Sequence, residues 1–376
     1  MRMLLEQFDQ LGFAGHQLVW VILFGAFLFA WAGSAVMRHY AIRKGMLDRP
    51  NARSSHTIPT PRGGGIAFVF ATAFGIAALI MTGDVAPIHA MVLLPGSLLI
   101  AAVGFWDDRS SLPALFKLAL HTLAAACALA FLGGWSTVSF GWGAFHWGFV
   151  GSIVGMAWLI WATNLYNFMD GIDGLAITQA LFLALTGAVL ALITGGEPLV
   201  LVLLALSCLG FAFLNWPPAK LFMGDAGSGF LGFTFGVIAL ESTVSMRTTC
   251  WPWLILMGVF IVDASYTLLY RMLDQQRWLE PHCLHAYQKA ARRVGAHRPV
   301  TLSVIAINLL WLMPLALTAH FFPAWGALLT VLALAPLVVL ASRFEAGKRD
   351  GTGVAVKDEV LARPALPEAL QTELGG

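Results

Sequence analysis

Asn164-Leu165-Tyr166-Asn167-Phe168-Met169-Asp170-Gly171-Ile172-Asp173-Gly174-Leu175-Ala176 closes one long apolar segment and precedes the next. Asn164, Asn167, Asp170 and Asp173 recur every third residue, and positions three apart share a helix face. The spacing predicts amides and carboxylates in register where a membrane helix meets water. Gly171 and Gly174 then allow a backbone bend or the close approach of a ligand. A polar helix end with a glycine turn is the plain alternative. Four oxygen-bearing side chains at a bilayer surface are costly, however, unless they act on something.

The apolar flanks set the class. The chain has 376 residues, 59% hydrophobic and 11% charged, against about 25% charged in a soluble domain. It reads as an all-α polytopic membrane protein. Arg2, Glu6 and Asp9 precede an apolar run with no small-residue cleavage pattern after it, so no cleaved leader is expected. Cys127, Cys208, Cys250 and Cys283 are scattered without metal or redox spacing and read as packing residues.

A spanning helix needs about 20 apolar residues. That measure predicts eleven spans, near 17–37, 64–83, 88–106, 113–133, 149–168, 175–194, 198–215, 228–240, 251–271, 300–319 and 323–342. The eighth is short and reads as tilted or interrupted. With loop 38–63 cytoplasmic, alternate loops and the tail carry 20 of the 22 Lys and Arg, leaving only Arg2 and Arg247 outside. The positive-inside rule then places the N-terminus outside and the C-terminus in the cytoplasm. The segment 134–147, rich in Trp, Gly and Phe, suits an interfacial belt. Residues 1–344 read as the membrane domain and 345–376 as a disordered cytoplasmic tail with no catalytic role.

Four more clusters fall on the face predicted for the organising stretch. Arg53, Ser54, Ser55, His56 and Arg62 are phosphate-type donors, and Gly63-Gly64-Gly65 offers backbone N–H groups to an anion. An ordinary basic loop is the alternative. Asp107-Asp108 ends the third span, with Lys117 entering the fourth. Adjacent carboxylates repel unless a cation sits between them; a solvated helix end and a snorkelling lysine are the simpler readings. Asp225, between Gly224 and Gly227, can reach a metal–phosphate, and Mg2+ prefers one or two carboxylates plus phosphate and water. Phe222 is a base-stacking ring or a packing aromatic. His282 and His285, with Lys289, Arg292 and Arg293 nearby, fit phosphate donation better than a soft-metal site. Asp263, inside the ninth span, is a functional suspect or one half of a pairing across helices.

Acids alone are compatible with ion transport. Acids together with glycine loops, Lys, His and an aromatic point to a metal-held diphosphate and phosphoryl transfer. A transporter predicts inverted repeats and polar residues at the midplane. No repeat is evident, and Asp263 alone fits that pattern. A scaffold leaves the aspartates unexplained.

In these motifs the chain resembles the polyprenyl-phosphate N-acetylhexosamine-1-phosphate transferases of glycosyltransferase family 4. The likeness covers about residues 38–300: Arg53–Gly65, Asp107-Asp108, Asn164–Ala176, Phe222–Ser228 and His282–Gln288. The histidine stretch His-Cys-Leu-His-Ala-Tyr-Gln lacks the adjacent histidines of the muramoyl-pentapeptide branch. It is similar to the O-antigen-initiating subgroup, which starts a lipid-linked surface polysaccharide. The resemblance implies transfer of sugar-1-phosphate from a UDP-N-acetylhexosamine to undecaprenyl phosphate at a bacterial inner membrane, with release of UMP. It implies Mg2+, or Mn2+ in its place, no nucleic-acid partner, and room for a homodimer. By that likeness Asp225 is the Mg2+ ligand, with Asp107 and Asp108 near the attacking lipid phosphate and the metal. Lys117 neutralises phosphate charge. Asn164, Asn167, Asp170 and Asp173 line the nucleotide and metal pocket, and Phe222 lies against uracil. His282 and His285 hold the diphosphate or sugar, and Arg53 and His56 bind substrate. A phosphate monoester is mostly dianionic at pH 7, which favours direct attack over an aspartyl nucleophile.

Overall fold

The computed structural model describes residues 17–50, 58–277 and 282–349. Fourteen α-helices follow in order among them. They are α1 (Gln17–Arg43), α2 (Gly65–Met81), α3 (Pro87–Arg109), α4 (Ala114–Leu132), α5 (Phe149–Phe168), α6 (Leu175–Thr194) and α7 (Pro198–Asn215). Then come α8 (Gly224–Val244), α9 (Trp251–Leu256), α10 (Gly258–Leu273), α11 (Ala286–Val294), α12 (His297–Ile307), α13 (Met313–Phe321) and α14 (Gly326–Arg343). Two antiparallel hairpins interrupt the bundle. One pairs β1 (Leu47–Asp48) with β2 (Thr60–Pro61), the other β3 (Thr137–Ser139) with β4 (Ala144–His146).

Nine helices among the described residues are long and apolar enough to cross a membrane. Phe74, Leu115, Phe149, Leu310 and Val331 are large, apolar and exposed. Such a surface suits lipid, where the helical backbone satisfies its own hydrogen bonds. The chain is therefore an all-α polytopic membrane protein.

The predicted spans meet the structure unevenly. The second is a helix of 17 residues. The eighth, expected to be short, is the continuous 21-residue α8. The sequence Gly224-Asp225-Ala226-Gly227 forms its first turn, because Asp108 accepts hydrogen bonds from the Asp225 and Ala226 N–H groups (3.0 and 3.4 Å). A carboxylate at a helix N-terminus supplies the acceptors that the first turn lacks. The ninth breaks between α9 and α10 at Met257. Near the break, Gln179 of α6 donates to the Leu256 carbonyl (3.0 Å) and accepts from Asn308 (2.6 Å). Asn308 opens a π turn, Asn308–Leu312, inside the tenth span. Polar side chains thus satisfy backbone groups at a helix interruption within the apolar layer.

Central α8 packs against α2, α3 and α5. Fully buried Tyr166 stands T-shaped on Phe260, ring centroids 5.0 Å apart, and donates to the Ala176 carbonyl (3.1 Å). It ties the end of α5 to the start of α6, across the organising stretch. At the opposite end of the bundle, Trp251 donates to the Phe140 carbonyl (3.0 Å) and stacks on Trp142. This is the aromatic segment expected at an interface. Ordered structure also runs past residue 344. The Gly347 N–H donates to the Leu284 carbonyl (2.8 Å), and Lys289 Nζ donates to the Lys348 carbonyl (2.7 Å).

Candidate active site

Four helix ends and the loop before α2 meet on one face. The C-terminus of α3 brings Asp107 and Asp108. The start of α4 brings Lys117, the N-terminus of α8 brings Asp225, and the end of α5 leads into Asp170. The loop before α2 brings Arg62. Backbone pairing fixes that loop: the Phe222 N–H donates to Pro61 (2.8 Å), and the Gly64 and Gly65 N–H groups donate to Phe222 and Met223 (2.9 Å each).

Close approach of α3 and α8 needs Gly104, since a Cβ there would sit 2.5 Å from the Ala226 nitrogen. Gly224, at φ +75°, occupies the left-handed region and turns the chain into α8.

The charges form a partly neutralised cluster. Asp108 is fully shielded and pairs with Arg62. It also receives the two N–H groups of α8, so both of its oxygens are engaged. Arg62 lies 3.7 Å from Asp225 as well. Lys117 Nζ donates to Asp107 (2.8 Å) and lies 4.0 Å from Asp225. Asp107 accepts from the Leu112 N–H too (2.6 Å). Asp225 keeps 28% of its side-chain surface exposed, makes these looser ion pairs to the two cations, and shares a side-chain hydrogen bond with Asp107.

Asp170 adds a fourth carboxylate. Withdrawal from water, then the charges of Asp225 and Asp108, push its carboxyl well above the usual range, while Arg62 opposes the shift and Asp173 adds to it. Like charges this close call for a cation. Among the described residues, no three His, Cys, Asp or Glu side chains gather closely enough to cage a metal by themselves. The carboxylate oxygens of Asp107, Asp170 and Asp225 are of the kind that Mg2+ takes, in small number beside water and phosphate oxygens, and are unlike the thiolate and imidazole sets of soft-metal cages.

The predicted helical register of the organising stretch stops early. α5 ends at Phe168, so Asn164 and Asn167 lie on a helix while Asp170 and Asp173 lie in the following turns. Glycine and a change of direction replace the third helical turn. Asn164 donates back to its own helix at Ile160 (2.8 Å), and Asn167 donates to Ser228 of α8 (3.1 Å). Asp173 ties three segments together. It accepts from the Ala219 N–H (3.0 Å), pairs with His297 (3.1 Å), and its carbonyl accepts from Thr301 (2.9 Å). Phe222 is half-buried beside the glycine loop.

The histidine stretch leans on the same turn. His285 stacks on Phe168, and Tyr287 donates to the Phe168 carbonyl (2.8 Å). A Cβ on Gly171 would meet Gln288 Nε2 at 2.8 Å. Burial, then His285 and Arg271, push His282 down to about 3, so its ring is neutral near pH 7. Arg53 and His56 lie outside the described residues.

Sequence reasoning weighed Arg62 as a phosphate donor and missed its grip on two carboxylates; its place before three glycines was the available signal. The contacts of Tyr287, Gln288 and His297 had none.

Residues 90–243 match the family described as Glycosyl transferase family 4. The chain is 31% identical over 284 residues to a probable undecaprenyl-phosphate N-acetylglucosaminyl 1-phosphate transferase of Bacillus subtilis, covering 73% of this chain and 77% of that protein. It is 29% identical over 351 residues to a decaprenyl-phosphate N-acetylglucosaminephosphotransferase of Mycolicibacterium smegmatis, covering 81% and 83%. A phospho-N-acetylmuramoyl-pentapeptide-transferase of Desulforamulus reducens is 34% identical over 203 residues, covering 48% and 60%.

Proposed function

This chain belongs to glycosyl transferase family 4, the polyprenyl-phosphate hexosamine-1-phosphate transferases, and we propose that it moves an N-acetylhexosamine-1-phosphate from a UDP-sugar to undecaprenyl phosphate. The products are undecaprenyl-diphosphate-sugar and UMP, the first step of a lipid-linked surface polysaccharide such as O-antigen. The names of the two relatives matched over most of their length make UDP-N-acetylglucosamine the first donor to try. The active face would look into the cytoplasm from a bacterial inner membrane, where the positive-inside distribution puts it.

One observation carries the reading. Asp107 and Asp108 from one segment, and Asp170 and Asp225 from two others, come to one face, with Arg62 and Lys117 set among them. Phosphoryl transfer asks for this: positioned charge and little covalent chemistry from the protein. An oxygen of the lipid phosphate attacks the β-phosphorus of the UDP-sugar. The bond from that phosphorus to the bridging oxygen breaks, and its electron pair leaves with UMP. The acceptor is already mostly dianionic at pH 7, so no base is required. Lys117 and Arg62 offset the charge of the phosphates. Asp225, with Asp107 beside it, would hold Mg2+ or Mn2+. Held there, such an ion would supply positive charge against the diphosphate and the leaving oxygen. Asp108, with both oxygens engaged, acts as the anchor of α8.

The test is UMP release by purified protein given undecaprenyl phosphate, Mg2+ and a panel of UDP-N-acetylhexosamines, with Asp225→Asn alongside. Release that requires lipid phosphate and Mg2+ and collapses in the variant supports the reading. A folded preparation that binds no UDP-sugar and releases no UMP overturns it.

A further inference from the structure

Asp263 lies on α10, in the ninth predicted span, and is buried at 6% exposure. A carboxylate withdrawn from water needs several donors to stay charged, and this one has four. The Ala286 N–H donates to Oδ1 (2.8 Å) and the Tyr287 N–H to Oδ2 (2.9 Å). Thr267 Oγ1 and the Nδ1 of His285 also reach Oδ1, each at 3.2 Å. The two backbone donors open α11, whose N-cap is His285 itself. Asp263 therefore anchors a helix start and a histidine together.

The consequence for His285 is chemical. Its Nδ1 faces a carboxylate, which accepts, so Nδ1 carries the proton. That leaves Nε2 as the nitrogen that can meet a substrate. The ring is 3% exposed and packs between His282 and Tyr287, with ring centroids 5.0 and 5.6 Å away. It also stacks on Phe168, two residues before Asp170. A side chain so enclosed and tethered at one nitrogen has a fixed direction. The contact between Tyr287 and the Phe168 carbonyl ties this unit to the turn that carries Asp170.

We propose that Asp263 is a positioning residue for the transfer reaction, holding His285 by Nδ1 so that Nε2 is presented, as an acceptor, to a hydroxyl of the donor sugar. This rests on the transferase reading above. Asp263 touches no substrate; it acts through His285. Partners of this kind orient imidazoles elsewhere, and their loss typically costs about 10- to 100-fold in activity.

The experiment compares UMP release and thermal unfolding for wild type, Asp263→Asn, His285→Ala and the double variant. Asp263→Asn is expected to lower kcat by about 10- to 100-fold in the wild-type background, and by less than about threefold when His285 is already absent. Its effect on unfolding, through the lost cap of α11, is expected in both backgrounds. Equal rate losses in both backgrounds, or none in either, overturn the proposal. His285→Gln and His285→Asn give a second reading that leaves Asp263 intact. The Gln amide reaches the Nε2 position and the Asn amide the Nδ1 position, so Gln is expected to retain at least about tenfold more activity, a difference of about 1.4 kcal/mol. Equal activities, or the reverse order, overturn the proposal. A wild-type protein that releases no UMP overturns the transferase reading and this inference with it. An active wild type with the wrong variant pattern overturns the inference alone.

Discussion

The guanidinium of Arg62 stands between two carboxylates, paired with Asp108 and 3.7 Å from Asp225. Arg62 comes from the loop before α2, Asp108 from the end of α3, and Asp225 from the start of α8. One side chain thus closes three segments over the candidate site. Arg62→Ala leaves the shielded Asp108 carboxylate with two backbone donors and no counter-charge. The expected cost is about 2–3 kcal/mol in stability, less than for a fully buried pair because Arg62 keeps 31% of its side-chain surface in contact with solvent. Thermal unfolding in detergent measures it. An unchanged midpoint would show that the backbone donors suffice.

Gly104→Ala tests the close approach of α3 and α8. Its methyl would press on the Asp225–Ala226 peptide, whereas a methyl on Gly25 meets nothing within 4 Å. Overpacking of this kind costs about 1–3 kcal/mol. Gly104→Ala is expected to lower both the unfolding midpoint and UMP release, while Gly25→Ala changes neither. Equal behaviour of the two variants would remove the argument for a steric fit.

Asp170 makes metal-free stability depend on pH. Burial and the charges of Asp225 and Asp108 raise its folded pKa well above the usual range. The unfolded chain releases that proton near pH 4. The favourable contribution of the protonated group is therefore complete below about pH 4, and it is lost as pH rises through the folded pKa. In EDTA, Asp170→Asn is expected to gain stability over wild type as pH increases from about 5 to about 8. Added Mg2+ is expected to narrow the gap, since a nearby cation favours the charged form. Parallel pH curves for the two proteins would contradict this.

Residues 344–349 brace the histidine stretch. Gly347 donates to Leu284 (2.8 Å), and its carbonyl accepts from Gln276 (3.0 Å). Lys289 donates to the Lys348 carbonyl (2.7 Å). A chain ending at Arg343 is expected to lose about 2–3 kcal/mol for these bonds, together with part of its UMP release. A chain ending at Arg349 keeps all three and is expected to unfold like the full protein. The same midpoint for both truncations would show that the segment braces nothing.

Much of this was legible in the sequence, for reasons tied to single residues. Long apolar runs announce membrane helices because lipid demands them. Acidic pairs and glycine-flanked aspartates at the ends of those runs are costly enough to mark a site. Other features escaped. α8 reads as short because glycines around Asp225 look like a loop, yet a carboxylate from α3 lets them start a helix. The break at Met257 is silent because its polar partners come from distant α6 and from the π turn at Asn308. Asp263 looks like an isolated membrane acid until α11 supplies its donors. Asp170 and Asp173 share a spacing but not a helix, since the chain turns after Phe168.

The sequence by itself determined the membrane-helical class and which residues carry charge, for both follow from local composition against the cost of burial in lipid. It also determined the order of the motifs and the alternation that places them on one face, since each span reverses the chain. Only the tertiary structure decided which carboxylates are engaged and which stay open: Asp108 buried under Arg62, Asp225 partly exposed, Asp263 spent on α11 and His285. Those assignments depend on donors brought from other helices, and the distance between two side chains in space is not written in their separation along the chain.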